Sequence, residues 1–294
     1  EIPLRLVGSE MCIRDSSKIE GCYSSMSKGH KRITDYITEN YDKAAFMTAA
    51  KLGDAVGVSE STVVRFASEL GFSGYPQLQK ALQEVVKSRL TSVQRMEAAG
   101  GEDMLEHAFS SDIDTIKATR ESISREAFNA SVEAINRAKH IYVLGVRSAA
   151  SLASFAAFYL NFVYDSVTLI EPAGTGEAFD QAFRINKDDV CIAISFPRYS
   201  KQTINMLRFI SDRGATVISV TDSENSPIAQ FATHLLLARS SMVSFVDSLV
   251  APLSLINALI AAAASEKSGE VYSNLSSLEN IWDEYQIYQT HEDE

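Results

Sequence analysis

A chain of 294 residues, 46% hydrophobic and 22% charged, has the composition of an ordinary folded protein and the length for two domains. Its longest apolar stretch, residues 249–264, is broken by Pro252, Ser254 and Asn257 and falls short of the ~20 residues a membrane span needs, and its three cysteines (Cys12, Cys22, Cys191) have no metal-ligand spacing or paired framework, which points to a reducing, cytoplasmic setting. The net charge of -11 is uneven: residues 27–98 carry ten basic and eight acidic groups, whereas 99–294 carry 14 and 26, so only the first segment is suited to approach a polyanion.

The first 16 residues, EIPLRLVGSEMCIRDS, fit nothing that follows and are similar to the translated read-through of a sequencing adapter. They are expected to be a non-native leader, with native sequence beginning near Ser17 or later. From residue 27 the pattern is one of short helices. Ile33, Tyr36, Ile37 and Tyr41 recur at helical spacing, and further helices are predicted over 48–56, 60–70 with Ser59 as N-cap, and 76–90. Gly71 ends the third of these, and Gly100-Gly101 marks a hinge. Residues 102–138 are helical again, with Leu105, Phe109, Ile113 and Ile116 on one face, and are expected to form a packed connector. After Lys139 five short apolar runs of β type appear, at 140–145, 167–170, 190–196, 216–221 and 234–238. Helical patterns separate most of them, which argues for a parallel sheet with helices on both faces. Residues 248–264 predict a buried apolar helix, and 275–288 an amphipathic tail suited to packing on a partner subunit. The expected organisation is a leader at 1–16, a helical domain at 27–98, a connector at 99–138, an α/β domain at 139–270 and a tail at 271–294.

The stretch MTAAKLGDAVGVSESTVVRFASELG has the spacing of a helix-turn-helix. Two closely crossing helices need a small residue inside the first, and Gly53 is there, although alanine would serve at about 1 kcal/mol less cost to the helix. The sharp turn needs a residue tolerant of positive φ, supplied by Gly57. Val58 tucks under the turn, and Val63, Phe66 and Leu70 form the buried face of the second helix. Ser59, Ser61, Thr62 and Arg65 are left pointing outward at its N-terminal end, where recognition helices read bases and where phosphates are favoured. The competing reading is a plain helical hairpin with a solvated outer face. The register of all these positions together favours DNA.

Residues 27–90, especially VGVSESTVVRFASELGFSGYPQLQKAL, resemble the N-terminal domain of the RpiR family of bacterial transcriptional regulators. The step Gly71-Phe72-Ser73-Gly74-Tyr75, followed by a helix with Leu78 and Leu82, is the more specific part. The resemblance implies that Ser61, Thr62 and Arg65 approach base edges and that Ser59 and Ser73 lie near phosphates.

In the second domain, HIYVLGVRSAASLA predicts a strand, a tight turn at Gly145 and a helix opening at Ser148. The third strand ends in ISFPRYSKQT, where Ser195, Ser200 and Thr203 offer hydroxyls at the start of another helix. Ligands of open parallel sheets bind at the carboxyl ends of strands near helix N-termini. Hydroxyls with free backbone N–H groups suit a phosphate monoester, and Arg147 and Arg198 add charge-assisted donors. For any one serine, helix capping is the commoner role; two such loops, each with an arginine, favour an anion site. Cys191 falls within the third run and reads as an inert core residue, and His234 reads as structural. This region resembles the SIS (sugar isomerase) domain that RpiR regulators carry for effector binding. Ser148 matches the serine of the family's first loop. Ser195, Ser200 and Thr203 match three hydroxyl positions of the second, Ser-x-Ser-Gly-x-Thr-x-x-Thr, whereas Pro197 stands at a serine and Arg198 at a glycine. A phosphate, a carboxylate or both remain open.

The expected fold is therefore two-domain, α followed by α/β: an all-α helix-turn-helix domain and a doubly wound SIS-type domain with a five-stranded parallel sheet. The expected function is a DNA-binding transcriptional regulator that senses a phosphorylated sugar or related anionic metabolite, acts as a homodimer or homotetramer on operator DNA, and needs no metal or cofactor. The rival is a sugar-phosphate isomerase, which requires a base beside the substrate. Glu177, Asp180 and His234 are its candidates near ligand-facing loops, but none lies in a catalytic motif.

Overall fold

The computed structural model describes residues 23, 26–89, 91–98, 103–171 and 175–288. The expected leader, Cys12, Cys22, the Gly100-Gly101 hinge and the last six residues lie outside these. The chain divides into two compact units, Glu1–Glu102 and Asp103–Glu294.

The first unit is helical: α1 Lys28–Glu39, α2 Tyr41–Ala44, α3 Ala49–Val56, α4 Glu60–Glu69, α5 Tyr75–Arg89 and α6 Ser92–Ala98. The first helix stops at Asn40, whose φ of -133° and ψ of 40° leave the helical region, so Tyr41 opens a separate turn. Thr48 caps α3 by accepting from the Lys51 N–H at 3.3 Å, and Ser59 caps α4 as anticipated. A single core gathers Ile33, Leu52, Val56, Val63, Phe66, Leu70, Tyr75 and Leu78, with Val58 packed at its rim. Helix α5 is tied back to the chain before α3. The Tyr75 hydroxyl and Gln79 Nε2 both donate to the Met47 carbonyl, at 2.7 and 2.8 Å, and Gln83 Nε2 donates to Ala45 O at 3.1 Å. The Gly71-to-Tyr75 step makes this return possible, since Gly71 at φ +87° ends α4 in a left-handed conformation.

The second unit opens with α7 Met104–Ser122 and α8 Arg125–Arg137. It continues β1 Ile141–Gly145, α9 Ala149–Leu160, β2 Val167–Ile170, α10 Thr175–Ala182, β3 Val190–Ile194, α11 Lys201–Asp212, β4 Thr216–Thr221 and β5 His234–Leu237. A two-residue hairpin, β6 Ser241–Met242 with β7 Asp247–Ser248, precedes α12 Val250–Glu266 and α13 Ser268–Glu284. The five long strands form one parallel sheet in the order β2-β1-β3-β4-β5. Strands β1 and β3 are buried throughout, so they read as continuous apolar runs rather than alternating ones. Side chains of β1, β3 and β4 pack with α8, α9 and α12 on one face, including Val143, Ile192, Ile218, Ala153 and Leu255. On the other face Leu144, Ala193 and Val217 meet Ala178 and Ala182 of α10 and Met206, Leu207 and Ile210 of α11.

One expectation about packing is corrected. Leu105, Phe109, Ile113 and Ile116 of α7 are exposed, at 69, 64, 50 and 37%. Helix α7 does pack, but along α12 and by its other side, where the Ser248 hydroxyl donates to Asp112 Oδ1 and the Thr119 hydroxyl accepts the Arg239 N–H at 2.8 Å. The tail helix α13 has no buried residue.

Candidate functional site

The turn between α3 and α4 begins at Gly57, in the left-handed region at φ +66°. The Val58 N–H reaches back to Gly53 O at 2.9 Å and closes the end of α3. At Gly53 the expectation that alanine would serve is overturned. A Cβ there would stand 2.8 Å from the Val58 carbonyl oxygen, a backbone atom of the turn. Close crossing, not helix propensity, sets this residue.

At the start of α4 the predicted residues come together. Ser59 Oγ accepts from the Thr62 N–H at 3.3 Å and lies 2.9 Å from Ser61 Oγ and 2.8 Å from Thr62 Oγ1. Arg65 Nε donates to Ser61 O at 3.3 Å and Nη2 to Ser61 Oγ at 3.4 Å. Ser59, Ser61 and Arg65 are exposed and Thr62 is half-buried, so hydroxyls and one guanidinium form a polar surface with donors and acceptors. Ser73 is exposed further along, its N–H bound to Gln77 Oε1 at 2.6 Å. The sequence reading missed Arg32. From α1 it donates to Gly57 O at 3.2 Å, which sets a cation on the turn itself. Helical periodicity carries no signal for such a contact.

In the second unit the two expected loops leave adjacent strands at one edge. Gly145 and Ile194 are register partners at the ends of β1 and β3. The strand order places β2 on one side of β1 and β3 on the other, and α9 and α11 cover opposite faces. This is the topological switch point, where such sheets open a crevice. A Cβ on Gly145 would come 2.6 Å from Ala149 O and 2.8 Å from Ala153 Cβ, so glycine lets α9 lie directly against the strand end. Arg147 then takes φ +56°, and Ser148 is exposed with no capping bond from its side chain. On the other loop the Ser195 N–H donates to Val220 O at 3.1 Å, and Ser195 is buried. Arg198 takes φ +67° and the Tyr199 hydroxyl donates to Asp222 Oδ1 at 2.6 Å. Ser200 Oγ caps α11 by accepting from the Gln202 N–H at 3.2 Å. Thr203, in the first turn of α11, is fully buried, and its hydroxyl has no hydrogen-bond partner among the described residues. An unpaired buried hydroxyl costs about 1–3 kcal/mol.

Two of the isomerase candidates stay near this edge: Glu177 and Asp180 are exposed on α10. His234 does not. It is the first residue of β5, paired with Ile218, and lies at the opposite, amino-terminal edge of the parallel sheet. Two cavities open at that opposite edge. One of about 440 Å³ is lined by Lys139, Tyr164, Ser166, Lys267 and Glu270, the other of about 320 Å³ by Arg137, Asp188, Asp189 and His234. Their charges are mixed and partly paired, Lys139 Nζ being 2.6 Å from Asp188 Oδ2, which pulls the carboxyl pKa down and the ammonium pKa up. The strand-end loops gather hydroxyls, arginines and helix N-termini, so chemistry favours them over cavity size. Cys191 is fully buried in β3, and desolvation pushes its thiol pKa up to about 12, which fits an inert core residue. Among the described residues there is no group of three or more potential metal ligands, and no helix is long and apolar enough to cross a membrane.

A helix-turn-helix unit followed by a parallel α/β unit with anion-type loops defines a one-chain combination of DNA reader and small-molecule domain. Residues 15–89 match the helix-turn-helix domain of the rpiR family, and residues 134–262 match the SIS domain. The chain belongs to the RpiR family of HTH-type transcriptional regulators. It is 25% identical to an HTH-type transcriptional regulator of Haemophilus influenzae, over 75% of this chain and 78% of that one. It is 24% identical to the HTH-type transcriptional regulator HexR of Pseudomonas aeruginosa, over 74 and 75% of the two chains. Among solved structures, the sugar isomerase domain of an RpiR transcription factor from Sphaerobacter thermophilus aligns with a TM-score of 0.56 at 29% identity, covering 58% of this chain and 96% of that one. NanR of Vibrio vulnificus, solved with ManNAc-6P, shares the fold over 94% of this chain and 99% of its own, with a TM-score of 0.58 at 23% identity.

Proposed function

We propose that the protein is a cytoplasmic transcriptional regulator that binds operator DNA through its first unit and a phosphorylated sugar, or a related anionic metabolite, through its SIS domain. The reading rests above all on one observation: two hydroxyl-bearing loops meet at the switch point of a sheet joined to a DNA-reading hairpin. Ser61, Thr62 and Arg65 read base edges, while Ser59 and Ser73 approach phosphates. Arg147, Ser148, Ser195, Arg198, Ser200 and Thr203 hold the effector, and the unpartnered Thr203 hydroxyl is available for a phosphate oxygen. That NanR, of the same fold, is solved with a sugar phosphate supports this class of ligand. The working organisation is a reader at 27–98, a connector at 99–138, an effector domain at 139–270 and a tail at 271–294. The chain acts as a homodimer or homotetramer, because one helix-turn-helix buries little DNA surface and operators carry paired half-sites.

Catalysis is not part of this reading. An isomerase needs a base beside the substrate carbon, and His234 lies at the far edge of the sheet. The test is a DNA titration with duplexes from the gene's own neighbourhood, repeated with sugar phosphates, alongside a turnover assay. Ser195→Ala should abolish the effector's influence on DNA binding while ligand-free affinity persists. Full-length protein that retards none of these duplexes defeats the regulatory reading. Interconversion of a pentose or hexose phosphate that is lost in Glu177→Gln installs the isomerase instead.

A further inference from the structure

Among the described residues three non-glycine residues hold a positive φ: Arg147, Arg198 and Gln286. Gln286 follows the end of α13, where a left-handed residue commonly terminates a helix. The two arginines end no helix. Each lies on a loop leaving one of the adjacent strands β1 and β3. An L-residue in this conformation crowds its Cβ against the following carbonyl, and glycine does not. A loop that needed only the turn would carry glycine at both places. Both carry instead a permanent cation with a planar fork of N–H donors, suited to carboxylates and phosphates.

Arg147 is the more telling of the two. It is exposed, and its guanidinium has no hydrogen-bond or ion-pair partner among the described residues, so the fold itself makes no use of the charge. The loop itself is a tight turn closed by the Ala149 N–H on Val146 O at 3.2 Å, and the Ala150 N–H on Arg147 O at 3.1 Å leads into α9, so the turn is complete without the guanidinium.

A single phosphate is already provided for on the other loop, by Ser195, Ser200, the unpartnered buried hydroxyl of Thr203 and the N-terminus of α11. Helices α9 and α11 diverge to opposite faces of the sheet, so the Arg147 loop borders the crevice from the other side. We infer that the effector carries two acidic groups, a phosphate held by the loop after β3 and a second anion, carboxylate or phosphate, received by Arg147. This rests on the phosphate pocket proposed above and narrows its ligand. Arg147 is then a specificity-determining residue that separates doubly acidic ligands from simple sugar phosphates.

The test uses the full chain and three probes of equal carbon number at constant ionic strength: glycerol 3-phosphate, 3-phosphoglycerate and 2,3-bisphosphoglycerate. Affinities come from thermal unfolding titrations, since a ligand that binds only the folded state raises the midpoint. The parent protein should bind at least one doubly acidic probe about tenfold more tightly than glycerol 3-phosphate, the effect of one charge-assisted pair. Whichever probe gains tells carboxylate from phosphate. Arg147→Gly, which suits φ +56°, should unfold no lower than the parent without ligand, and the affinity ratio should collapse toward one. A parent that binds all three equally, or a preference that survives in Arg147→Gly, overturns the inference and leaves the pocket standing. A parent stabilised by none of the probes, nor by inorganic phosphate, overturns the pocket and this inference together.

Discussion

Replacing Gly53 by alanine sets two physical effects against each other. In an unhindered helix interior the change stabilises by about 1 kcal/mol, because alanine has the better propensity. At Gly53 the added Cβ would stand 2.8 Å from Val58 O, and 3.4 Å from both Glu60 N and the Ser59 carbonyl carbon. All three are backbone atoms of the turn or of the first residue of α4. No side-chain tip can swing away, so relief means moving the recognition helix. Overpacking of this kind costs about 1–3 kcal/mol, which leaves a net loss of up to about 2 kcal/mol. For a unit of this size each kcal/mol lowers the midpoint by roughly 4–8 °C. Hydrogen exchange across residues 49–70 of the full chain, read beside a DNA titration, measures both consequences: faster exchange in α3 and α4, and weaker binding. A variant that exchanges no faster and unfolds at or above the parent's midpoint refutes the claim that helix crossing demands this glycine.

Three further outcomes are expected. The Met47 carbonyl has two donors, so Tyr75→Phe or Gln79→Leu alone should cost about 0.5–1.5 kcal/mol, while the double variant leaves it unpaired and should exceed the sum by about 1 kcal/mol in equilibrium unfolding; simple additivity would contradict the shared acceptor. Arg65→Ala should weaken operator binding by about 1–3 kcal/mol per half-site with less effect on unrelated DNA, and equal losses on both would make Arg65 a phosphate contact instead. Cys191 should resist alkylation at pH 8 in the native state and react only as denaturant exposes β3, because burial holds its thiol protonated well above that pH; rapid native labelling would contradict its place in the core.

What the sequence revealed follows from how local each feature is. The helix hairpin was legible because Gly57, Ser59 and the triplet Val63, Phe66, Leu70 encode turn, cap and buried face within fourteen residues. The five strands were placed to within two residues at either end because buried parallel strands are unbroken apolar runs. The hairpin at Ser241–Met242 and Asp247–Ser248 was not, since two residues per strand show no period. The α7 stripe misled for a different reason. Periodicity identifies an apolar face but not its partner, and here polar bonds at Asp112 and Thr119 hold the other side. His234 was recoverable in principle. In a sheet read as parallel, the first residue of a strand lies at the edge away from the ligand loops.

The loop after β3 illustrates how a departure from a family pattern changes physics rather than merely chemistry. Where serine and glycine are usual, this chain has Pro197 and Arg198. Proline fixes one φ and removes states from the unfolded chain. Arg198 occupies the left-handed turn that glycine would reach freely. Next to it Tyr199 is pinned to Asp222, which also accepts the Thr221 hydroxyl at 3.2 Å, so the loop is braced against the end of β4. A loop already ordered loses little entropy on meeting its ligand, which favours affinity. The same stiffness means that little folding of this loop is available to transmit the signal. On the proposed effector reading, this loop serves as the anchor, and the signal passes by drawing other elements of the SIS domain toward it.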